Sequence, residues 1–563
     1  MKKKYGLFKV LSVLLLLVIM TTYFVDSRDG GKTYLALGDV FFNYLQSFGY
    51  FYDTALFILV VGGFYGLLNR IPSYRELLKK IANKLEGKSK MFVIAITIVL
   101  ALISSLTGFN VLLLLFVPMV VSIILLLGYD KLVALSATVG SIIVGLIGGV
   151  FLTIKDPSSY YAVSYTTIDK LIGVDSDFTN LIPKILLLVL GVGVLVWYII
   201  RHIKQVEDGE VSYKLSKSDS LFVEPKEKTL KNVKEESAEG VSSGKKYPLI
   251  IVFVLLFVLL VLGYLPWANL FEFEKFNELH TFLIEKTFAD WKYGFLVLFG
   301  LLLAFTIFKL VKKIRKHEFN GKFVATIVAI LIELGIIAIF AGYSVSFISK
   351  TVFGEWVAKL AIWDNSVLTA LLSSNLTAFG AWGDINNFMM ATTLITVFMV
   401  VLAIVYRIKF EEFMEGILYG VKKMLPAVLL VMLAYTVFLS SYNHGFVDTI
   451  ISLSSQSFLN STLFNSVLVL LSSILNVDLY YASASSYATI ISILPQQTDL
   501  SIYAVMFQSL YGLVQIVGPT SVLLIVGLSY LEVPYKSWLK YIWRFVIALL
   551  IVILIGLIVT ALL

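Results

Sequence analysis

Residues 506–535 read MFQSLYGLVQIVGPTSVLLIVGLSYLEVPY. The stretch is apolar over a membrane-crossing length, yet its middle, Gly518-Pro519-Thr520-Ser521, cannot continue an ordinary helix. Proline removes a backbone donor and collides with the preceding turn. Backbone groups freed by such a break are tolerated at membrane depth only where protein or a cavity receives them. Gln508, Ser509, Gln515, Thr520 and Ser521 surround the break with polar groups. Two readings fit this segment alone. One is a kinked helix whose Ser and Thr satisfy freed carbonyls. The other is a broken helix lining a binding site inside the membrane.

Outward from that stretch the chain stays apolar. Of its 563 residues 59% are hydrophobic and 15% charged, a balance that excludes an ordinary soluble domain. Runs of about 18 or more apolar residues recur, each long enough to span a bilayer. The expected fold class is an all-α polytopic membrane protein, multi-pass in a bacterial cell membrane. The absence of cysteine excludes disulfides and cysteine-held clusters. Four scattered histidines (His202, His280, His317, His444) form no zinc pattern, so no metal site and no cofactor are expected. The net charge of +8 sits in lysine-rich loops, as the positive-inside rule requires, and is no nucleic-acid signature. No Gly-x-x-x-x-Gly-Lys-Ser/Thr motif supports an ATP-driven pump.

The basic start MKKKYGLFKV opens a first span read over Tyr5–Phe24, with a cytoplasmic N-terminus and no small-residue cleavage site. Residues 26–50 read as an outside segment and 52–69 as the return. The stretch 71–90 is too charged to span and places Ile71, Leu77, Leu78, Ile81 and Leu85 near helical spacing, so it reads as an interfacial helix. Two short apolar runs, 91–106 and 111–127, are separated only by Thr107-Gly108-Phe109-Asn110. Two crossings joined by a tight turn and a re-entrant hairpin with a polar tip both fit, and the hairpin reading is preferred. Residues 132–154 carry Ser136, Thr138, Gly140, Ser141, Gly145, Gly148 and Gly149. They read either as small-residue packing or as a first broken helix.

The charged stretch 202–247 reads as a flexible cytoplasmic linker. Three central spans follow near 248–266, 293–309 and 323–347, with Glu333 in the last. A carboxylate at membrane depth is a functional hypothesis by default. The alternative is a protonated Glu bonded to a neighbouring helix. From 391 the earlier order returns: a span (391–406), a basic amphipathic stretch, a span (424–441), a surface stretch (442–460), short runs at 462–475 and 487–494, the broken helix, and a last span (541–562). The tip between the second pair of runs holds Asn476, Asp478, Ser483, Ser485 and Ser486. Lysine-rich flanks place the first hairpin on the cytoplasmic side. The flanks of the second, with Asp448 and Asp499, place it outside. The predicted organisation is an inverted-topology repeat: a first repeat at 1–201, the linker at 202–247, central helices and an outside segment at 248–390, and a second, inverted repeat at 391–563.

Three stretches, LVVGGFYGLLNR (59–70), GYDKLVALSATVGSIIVGLIGG (128–149) and SLYGLVQIVGPTSVLLIVGLSYLEVPYKSWLK (509–540), resemble the YfcC-type carriers. These are described as C4-dicarboxylate anaerobic-carrier-like and are related to arginine–ornithine exchangers within the ion-transporter superfamily. The resemblance implies an elevator-type transporter, homodimeric, with two re-entrant hairpins and two broken helices around the substrate. It implies Thr107, Gly108 and Asn110 at the inner tip, and Ser483, Ser485 and Ser486 at the outer tip. Ser141, Gly148 and Gly149 would lie in the first broken helix. Ser509, Gly518, Pro519, Thr520 and Ser521 would lie in the second, beside Gln508. Where many relatives carry acidic residues at the inner hairpin, this chain has Asn110-Val111-Leu112. Asp478 at the outer hairpin would supply the missing charge or be a surface residue at its mouth.

The leading expectation is therefore a secondary transporter or exchanger of small amino acids, basic ones included, coupled to Na+ or H+. Serines, backbone amides and helix ends would hold an α-carboxylate, and Asp478 or Glu333 an amino or guanidinium group. The alternative is a sodium- or proton-coupled C4-dicarboxylate carrier, ranked lower because no basic residue is visible inside either repeat's apolar core. A membrane-embedded transferase is the remote reading. Asp156, Asp169, Asp175, Asp177, Asp364 and Asp384 show no catalytic spacing, and no enzyme activity is expected.

Overall fold

The structure is a computed structural model that describes residues 6–28, 34–108, 110–150, 152–155, 163–166, 168–173, 178–208, 247–260, 291–315, 321–344, 350–352, 388–454, 462–477, 479–494 and 500–562. The chain forms two compact units, Met1–Phe257 with Asn387–Leu563, and Val258–Asn386.

The larger unit begins with α1 (Gly6–Thr22), α2 (Leu37–Tyr50) and α3 (Tyr52–Leu68). The sequence reading made 26–50 an outside segment and assigned it no helix. Here α2 meets α3 at a 64° bend. Asp39 marks its start by accepting the Ala36 N–H at 3.0 Å, an acidic cap at the third helical position. The interfacial helix is present as α4 (Pro72–Lys84), with Tyr74, Leu78 and Ala82 on its buried face.

The segment read as the first hairpin begins with α5 (Ser89–Thr107), which ends at Gly108, whose φ of 66° is left-handed. Glycine closes a helix there without steric cost. The chain goes on through a tight turn, Leu112–Leu115, and α6 (Val117–Leu126), which packs on α4 and α7 rather than along α5. The ten residues of α6 reach about 15 Å, half a bilayer core. Next, α7 (Lys131–Leu135), a π-helical turn Ser136–Gly140 and α8 (Ser141–Ile147) form one rod that stops at Gly148. The expected broken helix does not resume. The chain leaves into strand β1 (Leu152–Lys155), antiparallel to β2 (Val163–Thr166), so the fold is not purely helical. Thr153, Ile154, Val163, Tyr165 and Thr166 are β-branched or aromatic and suit a strand. After α9 (Ile168–Leu171), α10 (Phe178–Glu207) runs past 201 into the expected linker. His202 holds it there, 3.0 Å from Asp130 Oδ2 and edge-on to Tyr541. The rest of that linker, 209–246, lies outside the described residues. The first part of the unit ends with α11 (Tyr247–Leu260).

In the smaller unit α12 (Trp291–Arg315) packs beside α13 (Gly321–Ser344). The Thr306 hydroxyl donates to Glu333 Oε1 at 3.0 Å. Glu333 thus bonds to a neighbouring helix, as the structural alternative required.

The larger unit resumes with α14 (Phe388–Val405) and α15 (Phe410–His444). The sequence reading divided 407–441 into an amphipathic stretch and a span, but nothing between them stops a helix, and α15 runs unbroken for 35 residues. Then follow α16 (Phe446–Ser454) and the second hairpin. Its limbs are α17 (Thr462–Leu475) and a return of α18 (Leu479–Ala482), a π-helical turn Ser483–Tyr487 and α19 (Ala488–Ser492). The break long predicted at 518–521 separates α20 (Leu500–Val517) from α21 (Val522–Leu531), and α22 (Tyr535–Leu562) closes the fold. Among the described residues five helices are long and apolar enough to cross a membrane, or six if α2–α3 counts as one span.

Two contacts organise the larger unit. α3 and α15 touch backbone to backbone: a Cβ on Gly66 would fall 2.2 Å from Gly416 O, and one on Gly420 1.9 Å from Gly62 O. Such small-residue contacts are how membrane helices approach closely. The α7–α8 rod and the α20–α21 rod also cross. Gly527 meets Leu135 and Val139, and Gly512 meets Ile147. Numbers rise along one rod as they fall along the other, so the two run antiparallel. An apolar cleft lies between Phe57, Ile58 and Val61 of α3, Val117 and Pro118 of α6, and Tyr530 of α21.

Candidate functional site

The first cluster forms where α8 stops. Ser105 Oγ donates to Gly148 O at 2.8 Å, and Val150 N–H donates back to Ser105 O at 2.9 Å. One turn away, Ser104 Oγ lies 2.7 Å from Ile142 O and 2.5 Å from Asn110 Oδ1. The last turns of α5, just before the expected tip, are therefore stitched to the end of the first rod. Thr107 is buried, with its hydroxyl donating to Ile103 O, and the Gly108 N–H caps Ser104 O. From the other half of the chain, Gln508 Nε2 donates to Gly149 O at 2.6 Å and to Leu146 O at 3.1 Å. Gly148 and Gly149 are glycine because neighbours fill the space of a side chain: Leu188 N lies 2.5 Å from a Cβ on the first, and Gln508 Nε2 2.5 Å from a Cβ on the second.

The second cluster forms at the break. The Gly518 N–H closes the last turn of α20 on Val514 O, and Ser521 Oγ caps α21 by accepting the Leu524 N–H. Pro519 falls between the two helices, where no helical N–H is missed. The carbonyls freed by the break are taken by aromatic residues. Trp538 Nε1 donates to Ile516 O at 2.8 Å and the Tyr535 hydroxyl to Val517 O. Thr520 is thereby left for the second hairpin, donating to Ile474 O at 2.7 Å. Beyond that contact Asn476 closes onto Ser472 O, and Ser473 lies 2.7 Å from the Tyr487 hydroxyl. The Tyr487 ring stacks on Phe507 at 4.4 Å. The clusters sit ten residues apart on α20, about 15 Å.

The other expected site residues are placed as follows. Ser141 and Ser509 are buried, and their hydroxyls bond back to their own helices, at Ala137 and Thr138 and at Val505 and Met506. Ser485 and Ser486 are buried in a helical π turn of the return limb rather than at the tip. Ser483 shares that turn, and Asp478 lies outside the described residues. Gln508 Oε1 and Gln515 Nε2 are buried and without a hydrogen-bond partner among the described residues. One offers an acceptor and the other a donor on one face of α20, about two turns apart. The first-turn N–H groups of α21 add an end suited to a carboxylate.

Sequence reasoning missed Ser104 and Ser105, inside an apolar run, and Tyr535 and Trp538, just beyond the broken helix. It also missed Lys184. That lysine was overlooked at the edge of a span, yet it is buried in the second turn of α10 and paired with Asp169 of α9. The reading found no basic residue inside either repeat's apolar core; Lys184 lies at the edge of a first-repeat span and is buried.

The family model described as DcuC, C4-dicarboxylate anaerobic carrier, matches residues 45–333 and 311–562. No curated protein and no solved structure matches the chain. The matched segments take in the hairpins, both rods and the clusters where they meet, and most of the chain besides. The chain is a multi-pass membrane protein that belongs to the C4-dicarboxylate anaerobic carrier family, a family of transporters.

Proposed function

We propose that the protein is a secondary carrier of C4-dicarboxylates. The observation that carries this reading is the meeting of the last turns of α5, the Gly148–Gly149 stop and Gln508 of the opposite rod. Irregular backbone enclosed by protein is where transporters hold substrate and coupling ion. The family supports a dicarboxylate over an amino acid, and the buried Lys184 removes the reason for ranking it second. Asn110, Gly149, Gln508, Thr520 and the start of α21 are its proposed polar surroundings. Na+ or H+ would supply the driving force, and two copies of the chain would form the working unit in the cell membrane. The hairpins and rods would move together as an elevator.

Uptake into proteoliposomes tests this. Labelled succinate, arginine, ornithine and a neutral amino acid are offered with and without a sodium or proton gradient. Gradient-driven succinate uptake, inhibited by fumarate, is the expected result. Uptake of a basic amino acid driven only by preloaded amino acid, with no succinate uptake, would overturn the dicarboxylate reading in favour of exchange.

A further inference from the structure

Two lysines are buried among the described residues, Lys131 and Lys184. Lys131 opens α7 beside the capping Asp130. Lys184 lies within an apolar helix, and its ammonium pairs with Asp169 Oδ2, the two side chains 3% and 2% exposed. The pair is incompletely satisfied. Asp169 Oδ1 is buried with no partner among the described residues, and the ammonium has three donors, of which one bonds Asp169 Oδ2 and the others meet no partner among the described residues. A buried ion pair repays its desolvation only when the remaining lone pairs and protons are also bonded. This pair is therefore a poor device for stability, and its position calls for another reason.

That position is next to the first cluster. Leu188, one turn along α10 from Lys184, is the residue whose backbone fills the space beside Gly148. One turn is about 5.4 Å. Asp169 belongs to α9, which packs against α20, the helix that presents Gln508 to Gly149. Lys184 thus stands one turn along α10 from the place where α5, the Gly148 stop and the opposite rod meet, with donors that have no partner among the described residues.

We propose that Lys184 binds one carboxylate of the transported dicarboxylate, and that Asp169 is its counter-ion when no substrate is bound. The inference rests on the dicarboxylate reading above. Substrate and Asp169 share the same cation, so the two anions compete for it. Removing either charge should then act in opposite directions. Lys184→Gln loses a charge-assisted bond and weakens succinate binding by about tenfold or more. Asp169→Asn removes the competing anion and tightens it. If the pair merely fastens α9 to α10, both variants weaken binding together.

The experiment measures succinate affinity, and KM for uptake, on the full chain in proteoliposomes for the wild type, both single variants and Asp169→Asn/Lys184→Gln. The double variant keeps an amide pair with no buried charge, so it stays testable if a single variant fails to fold, and its melting temperature reports folding separately. The expected result is opposite shifts in the single variants and weak succinate binding by a folded double variant. A folded double variant with wild-type KM, or single variants that shift in the same direction, would overturn the role of Lys184 while leaving the dicarboxylate reading intact. A wild type that takes up no C4-dicarboxylate would overturn both.

Discussion

Gln508 of α20 donates its side-chain amide to the carbonyl of Gly149, 2.6 Å away across 359 residues of sequence. The bond joins the opposite rod to the point where the first rod ends. The same amide occupies the space that a side chain on Gly149 would need.

Gly148 and Gly149 should therefore respond differently to alanine. At Gly148 the obstacle is the backbone of Leu188, which cannot move aside. Gly148→Ala should cost about 1–3 kcal/mol, the range of overpacked cores. At Gly149 the obstacle is the end of a flexible side chain. Gly149→Ala should melt near wild type but lose the Gln508 contact and most uptake. Thermal melting beside uptake on the same preparations checks the ordering.

The α3–α15 contact makes a sharper demand. Gly66→Ala places a methyl group 2.2 Å from Gly416 O and should destabilise by about 3 kcal/mol or more. Gly193 of α10 has nothing within 4 Å of its Cβ position. Gly193→Ala should hold or raise stability, by up to about 1 kcal/mol from helix propensity. The two melting temperatures should move apart in opposite directions.

At the α20–α21 break, Tyr535→Phe removes the donor to Val517 O while keeping the ring. A carbonyl left buried without its partner costs about 1–3 kcal/mol. The variant should melt lower, and Tyr535→Trp should not rescue it, since the indole N–H points elsewhere.

Asp448 of α16 links the segment after α1 to the second hairpin. It lies 3.4 Å from Arg28 Nη1 and accepts the Thr489 hydroxyl at 3.0 Å. Burial lifts its carboxyl above the ordinary aspartate value, outweighing Thr489 and Arg28, which lower it. The fold thus favours the neutral acid. That stabilisation is complete below the unfolded value of about pH 3.9 and is lost as pH rises through the raised folded value. Asp448→Asn stays neutral, so its melting temperature should gain on the wild type as pH climbs through the mildly acidic range. A difference that does not change with pH would remove the titration argument.

The features most legible in the sequence were those with a local cause. Gly518-Pro519 forbids a continuous helix by itself, and the break lies there. The alternation of charge and apolar residues along 71–90 gave α4. Less legible was anything decided at a distance. The serines of α5 are ordinary helix residues until Gly148 and Ile142 arrive beside them. Residues 407–423 read as a basic amphipathic stretch separate from the next span because charge was weighed locally, but the glycines of α15 pack on α3 within one continuous helix. Lys184 was passed over because its partner, Asp169, lies fifteen residues earlier on a separate short helix, where no periodicity announces the contact.

The α3–α15 contact also has a mechanical consequence. Helices whose backbones touch cannot slide without riding over each other's carbonyls, so Gly62, Gly66, Gly416 and Gly420 lock the pair in one registry. Beside that seam the packing changes character. Phe57, Ile58 and Val61 face Val117, Pro118 and Tyr530, with Met424 of α15 at the edge of the same cleft, so side chains and not backbones meet there. One helix thus has a welded seam along its glycines and a softer joint next to it, and substitutions that change side-chain size are absorbed at the second before the first.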